Sequence, residues 1–144
     1  MSLMKRRDKI WRLLEKIAIP SVPVSRQRLA ACVVYKNEII SVGYNKLKTH
    51  PISKRFQKHE EAIFLHAEAM ALNEASKCLS PQELSKAELY VLRVKKSDCG
   101  ATVWGLSKPC SGCMSAIEHF DIKKVYYTNN ASVDCRSFTT IEFS

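Results

Sequence analysis

Cys110 and Cys113, entered through Pro109, constrain the fold more than any other feature of the chain. Proline is favoured in the first turn of a helix, where its missing N–H costs nothing. The segment therefore predicts a helix over residues 110–120 with both thiols at its start. Residues three apart on a helix share a face, so the two sulfurs converge. The unpaired N–H groups and the positive end of the helix dipole stabilise thiolates there, and the thiolate is the form that binds a metal. Two thiolates make half of a tetrahedral zinc site, so the fold must deliver further ligands to this helix end.

His66 is the natural third ligand, tied to Glu68 by a tight spacing. Residues two apart on a helix point roughly 200° away from each other. His66 and Glu68 share one pocket only at the N-terminal end of their helix, close to its axis. Three protein ligands leave a fourth position for water, as in catalytic zinc sites. An acid beside such a site is better suited to carrying protons than to closing it as a fourth ligand. The competing readings of Cys-x-x-Cys fit less well. Structural zinc needs two more ligands with no acid to spare, and a thioredoxin-like redox pair follows a first strand in a different order.

The remaining pattern predicts a mixed α/β fold. Ile10, Leu13, Leu14 and Ile17 recur at helical spacing over residues 5–18, and Pro20 and Pro23 end that helix. The apolar, β-branched runs 28–35 and 38–44 flank the turn Lys36-Asn37 as a hairpin. Residues 60–77 are rich in helix formers and are broken by Ser80-Pro81. Further strands are expected at 89–94, at 124–128 and near 138–143, with 95–108 irregular. The order α-β-β-α-β-α-β implies a sheet with helices packed on it. We expect a single domain over residues 1–144, with a helix at about 5–18, a core at about 26–128 and a tail at 129–144.

Composition limits the function classes. With 144 residues and 46% apolar content the chain can bury a core without covalent staples. Six cysteines suggest a disulfide scaffold only until one notes that no apolar signal-peptide core follows the basic N-terminus. Cys32, inside Ala30–Val34, reads as a buried thiol, and Cys78 and Cys135 as plain reduced ones. No stretch is long and apolar enough for a bilayer, so the expected compartment is the cytoplasm, with no membrane partner. The net charge of +9 favours phosphorylated or polyanionic partners. Five basic residues and no acidic one lie between Lys46 and Lys58, and a second basic cluster opens the chain.

His66-Ala67-Glu68 followed by Pro109-Cys110-x-x-Cys113 resembles the cytidine and deoxycytidylate deaminase superfamily, whose zinc deaminases carry H-x-E and P-C-x-x-C. Gly43-Tyr44-Asn45 looks like the segment whose Asn contacts the substrate's sugar or base, and Ile122–Tyr127 like the strand after the cysteine helix. The likeness covers roughly residues 26–128. It implies a cytidine deaminase-like three-layer α/β/α sandwich with a mixed, roughly five-stranded sheet. It also implies a Zn2+ cofactor held by His66, Cys110 and Cys113, with Glu68 as proton shuttle. The Ala67 backbone and the Asn45 side chain would then hold the base. Two departures stand out. The stretch from Glu68 to Pro109 is longer than in compact members, so that 95–107 look like an inserted loop beside the pocket. Leu106-Ser107-Lys108 also replaces the Thr-Leu-Glu of tRNA adenosine deaminases. The Lys48-Thr49-His50-Pro51 and Ser107-Lys108-Pro109 contexts look more like small deaminases encoded by bacteriophages.

Further candidates carry two readings each. His50 and His59 are candidates for substrate contact or ordinary surface histidines. Trp104 is a base-stacking ring or a core residue. Lys48 and its basic neighbours are a phosphate contact or a solvated face. The expected reaction is deamination of cytosine in a free nucleotide or nucleoside, by a homo-oligomer. The alternatives are an editing deaminase on single-stranded DNA or RNA, and a non-catalytic, zinc-stabilised nucleic-acid-binding protein.

Overall fold

Strand β1 (Arg28–Tyr35) turns through Lys36 and Asn37 into β2 (Glu38–Tyr44). Both turn residues have positive φ, 50° and 66°, the geometry of a two-residue turn whose twist matches the flanking strands. These coordinates are a computed structural model, which describes residues 3–19, 28–44, 66–96, 100–130 and 136–143. Ahead of the hairpin lies helix α1 (Leu3–Ala18). After it come α2 (Ala67–Ser76), the short α3 (Pro81–Leu84), β3 (Glu88–Lys96), β4 (Thr102–Gly105), α4 (Ser111–His119), β5 (Lys124–Thr128) and β6 (Phe138–Glu142).

The six strands form one mixed sheet in the order β2-β1-β3-β5-β6, with β4 also on β3. Only β3 and β5 run parallel; the other neighbours are antiparallel. Side chains alternate across the sheet. Ala31, Val33, Leu89, Val91 and Val125 pack beneath α2 and α4. Ala30, Cys32, Val34, Tyr90 and Leu92 pack on the other face with α1. Because both faces are covered, β1 and β3 read as continuous apolar runs rather than alternating ones. The three-layer, cytidine deaminase-like architecture is the expected one.

Two local expectations are corrected. The segment 95–108, expected to be irregular, contains strand at two places among its described residues: β3 continues to Lys96, and β4 (Thr102–Gly105) pairs antiparallel with it. The two glycines that bracket β4, Gly100 and Gly105, make it read as loop. Among the described residues the sheet thus has six strands, one more than the roughly five expected. Ser80-Pro81 ends one helix but also opens another, because Ser80 and Glu83 form a reciprocal capping box around α3. The strand expected near 138–143 is present as β6, at the sheet edge beside β5.

Candidate functional site

Two helices point their N-termini at one spot. His66 is the N-cap of α2, with extended backbone (φ −75°, ψ 145°), and Cys110 is the N-cap of α4 (φ −71°, ψ 172°). Cys113 lies inside the first turn of α4. Cys110 thus precedes the helix instead of lying on its face, and the two sulfurs converge through cap geometry. The approach of α2 depends on Gly43 of β2. A Cβ there would press into the Ala67 carbonyl oxygen and lie 2.8 Å from the Ala71 amide nitrogen. Ser41 Oγ donates to the Ala71 carbonyl at 2.6 Å, and the Tyr44 amide donates to Met70 Sδ at 3.4 Å, so β2 holds the start of α2 from beneath. Sequence reasoning left this role of Gly43 unread, although a glycine inside a strand is a signal of close backbone approach.

His66 Nδ1 lies 3.2 Å from Cys113 Sγ and 3.6 Å from Cys110 Sγ, and the three candidate ligand atoms lie within 4.8 Å of one another. Tetrahedral zinc with ordinary Zn–N and Zn–S bonds would separate nitrogen from sulfur by about 3.6 Å. The observed edges and the soft donor set therefore fit Zn2+. Glu68 stands in the first turn of α2, buried (4% exposed). It interacts with the Cys113 thiol.

The electrostatics are those of a dry, coupled site. A hydrogen bond with Cys113 draws the Cys110 thiol down to about 3 against the opposing effect of burial, with His66 adding to the pull. Cys113 is held well above its ordinary range, first by its bond to Cys110 and then by burial. The Cys110 bond raises His66, while burial opposes it. Burial pushes the Glu68 carboxyl up, and His66 works the other way. Both helix N-termini favour negative charge at this point.

The structure brings His66, Glu68, Cys110 and Cys113 together, with Ala67 buried in the first turn of α2 beside them. Asn45, Lys48, His50 and His59 lie outside the described residues, as does the whole basic run 46–58. Trp104 is a correction. Its ring packs 5.4 Å from Trp11 in the core under α1, and its Nε1 donates to Glu15 at 3.3 Å. That is the sheet face opposite α2 and α4, so the ring serves packing and does not stack on a base at the cluster. The segment around it is a strand of the sheet and not a loop beside the pocket.

Known proteins are similar to this chain in sequence and in fold. The chain is 32% identical over 78 residues to a tRNA-specific adenosine deaminase of Rickettsia bellii. That match takes in 53% of this chain and 44% of the relative, so the chain spans less than half of that protein. Its fold is similar to the dCMP deaminase of the cyanophage S-TIM5 in complex with dCMP and dUMP, at TM-score 0.60, 22% identity, and coverage of 92% of this chain and 87% of that one. A cytidine deaminase from Burkholderia pseudomallei is similar at TM-score 0.60 and 12% identity, over 97% and 93% of the two chains. The sequence model of the cytidine and deoxycytidylate deaminase zinc-binding region matches residues 4–129, and with the His66, Cys110 and Cys113 cluster in place the chain belongs to that deaminase family.

Proposed function

We propose that the protein is a zinc-dependent hydrolase that deaminates cytosine in a free nucleotide or nucleoside. The observation that carries this reading is a buried carboxylate, Glu68, next to but outside the group of three candidate ligands His66, Cys110 and Cys113. Zinc held by His66, Cys110 and Cys113 would supply the Lewis acidity that makes water nucleophilic near neutral pH. Glu68 would accept one proton from the attacking water and pass it to the ring nitrogen next to the carbon under attack. It would then take the second proton from the newly formed hydroxyl and deliver it to the amine, which leaves as ammonia as the C–N bond breaks and the carbonyl forms. A carboxyl raised by burial suits both directions of transfer. Ala67, in the same helix turn, would hold the base by its backbone. Asn45 would orient it, and Lys48 and His50 are the candidates for phosphate and sugar. The S-TIM5 enzyme, which binds dCMP and dUMP, supports a free nucleotide.

A second reading is deamination within a nucleic-acid strand, favoured by the likeness to a tRNA-specific adenosine deaminase and by the net charge of +9. Against it, the exposed basic residues Lys9, Arg12 and Lys16 of α1 lie on the sheet face opposite the cluster helices. The protein is further proposed to act in the cytoplasm as a homo-oligomer. Among the described residues, no helix is long and apolar enough to cross a membrane.

The test is a panel of cytidine, deoxycytidine, their phosphates, the adenine and guanine counterparts, single-stranded DNA and tRNA, read by mass spectrometry for amine-to-carbonyl exchange. Glu68→Gln is expected to lower turnover by roughly 10²–10⁴-fold while zinc content stays at one per chain. A Glu68→Gln protein as active as wild type would make the metal structural and sink the reading. Turnover confined to a polymer would move the conclusion to strand editing.

A further inference from the structure

Strands β4 and β5 lie against the same edge of β3 and meet end on: β5 pairs with Glu88–Val91 and β4 with Arg93–Lys96. At that junction two buried hydroxyls, Ser107 and Thr128, bond to the backbone of β3 where the two ladders stop. Ser107 Oγ donates to the Val91 carbonyl at 2.8 Å, and the Arg93 amide donates to Thr128 Oγ1 at 3.2 Å. Thr128 Oγ1 in turn donates to the Gly105 carbonyl at 2.7 Å, and the Thr128 amide donates to Ser107 Oγ at 2.7 Å. The Ser107 amide donates to the Thr128 carbonyl at 2.9 Å, and the two hydroxyl oxygens are 2.9 Å apart.

We infer that the Ser107–Thr128 hydroxyl pair is the positioning device for Cys110, setting where its sulfur stands relative to His66 and Cys113. The inference rests on the reading of those three residues as a zinc site. Only Lys108 and Pro109 separate Ser107 from Cys110, and proline fixes one of the intervening torsions. Pro109 is itself buried, so this linker has little freedom to absorb a shift. Ser107 is bonded through both its amide and its side chain, so the last fixed point before the metal ligand is this residue. On the outer side, Asn130 Oδ1 accepts from the Leu106 amide at 3.0 Å and adds a weaker, exposed tie. Metal–ligand distances tolerate only about ±0.2 Å, which makes Cys110 sensitive to a displacement that a packing contact would absorb.

The test uses the full chain loaded with zinc or, in parallel, with cobalt(II), whose thiolate charge-transfer and d–d bands report the ligand geometry directly. Zinc affinity is read by competition with a chromophoric chelator and stability by Tm. Ser107→Ala and Thr128→Val should each weaken zinc binding roughly ten- to a hundred-fold and shift the cobalt bands, as loss of a ligand-orienting partner does. Thr128→Ser, which keeps the hydroxyl, should stay within about threefold of wild type by the same reasoning. Trp11→Phe, on the far face of the sheet, should lower Tm and leave affinity and spectrum alone. If Ser107→Ala and Thr128→Val lower Tm with wild-type affinity and cobalt bands, the pair is only structural and the inference falls. Should both fail to fold, the exposed Asn130→Ala decides: cobalt bands displaced from those of wild type at a near-wild-type Tm support the inference, and an unchanged spectrum overturns it. A wild-type chain that takes up neither metal overturns the zinc site itself, and the inference with it. Wild-type uptake with indifferent variants sinks the inference alone.

Discussion

Glu68 and Cys32 are both buried, and burial acts on each in the same direction for different ends. Glu68 is an acid removed from water, a costly placement unless other groups compensate it. Here His66, Cys113 and the N-terminus of α2 surround it, so the cost is met at the site where proton transfer is needed. Cys32 has no such company. It packs between strands under α1, and burial pushes its thiol up to about 12 from an ordinary 9.0. In the folded state the proton is retained where the unfolded chain would release it. The stability this confers is complete below about pH 9 and is lost as pH rises towards 12. Tyr90, also raised by burial, adds a loss of the same sign at the alkaline end. The expected outcome is that urea midpoints fall between pH 8 and pH 11, roughly in line with linkage, and fall less in Cys32→Ala than in wild type. At pH 8, iodoacetamide should label the exposed Cys78 and spare Cys32 until the protein is unfolded. Labelling of Cys32 at the rate of Cys78 would contradict its placement.

The contact between β2 and α2 sets where His66 and Glu68 stand. Gly43 permits it, since any Cβ would meet backbone atoms of α2 that no rotamer change can move aside. Gly43→Ala is expected to displace the first turn of α2. It should cost on the order of 1–3 kcal/mol, as overpacking does, and weaken zinc retention because the N-cap of that helix is a ligand. Paired urea unfolding and chelator competition would check both effects. Unchanged zinc affinity would show that the helix end can shift without moving His66. Helix α4 is placed differently, through Pro109 and the sheet junction behind it, so the two halves of the cluster depend on separate contacts.

The sheet divides the molecule into a side that carries chemistry and a side that carries α1. Trp11, Tyr90, Trp104, Tyr126 and Phe138 pack together under that helix, and Arg7 donates to the Tyr126 hydroxyl at 3.0 Å while lying over its ring. The exposed cations of α1 therefore face away from the cluster. Replacing Lys9, Arg12 and Lys16 together by Gln should leave kcat/KM on a mononucleotide within about twofold, since only long-range steering is altered. A loss beyond tenfold would mean that the basic face takes part in substrate binding. Zinc should also couple the two site helices to global stability. Removing it with a chelator is expected to lower Tm by several degrees, and restoring it to recover the loss, as binding confined to the folded state requires. A Tm indifferent to metal would contradict a zinc site of useful affinity.

The candidate zinc site was legible in the sequence because its chemistry demands particular residue types at short spacings. His66, Glu68, Cys110 and Cys113 each announce a metal or a proton at a short spacing. Pro109 marks the start of α4, whereas helix propensity runs from residue 60 and the structure makes His66 the N-cap of α2. The α1 face and the β1–β2 turn were legible for the same reason, through apolar periodicity and turn chemistry. What the tertiary structure decided depends on contacts between distant segments. Trp104 could have stacked on a base or packed in the core, and the neighbouring Trp11, far away in sequence, settles it. β4 is a strand because β3 offers it an edge, despite glycines that locally favour a loop. Ser107 and Thr128 look like ordinary small polar residues until the ends of two strands meet beside β3 and need their hydroxyls. Spacing encodes what a residue can do, whereas burial and hydrogen-bond partners, which depend on the whole chain, decide what it does.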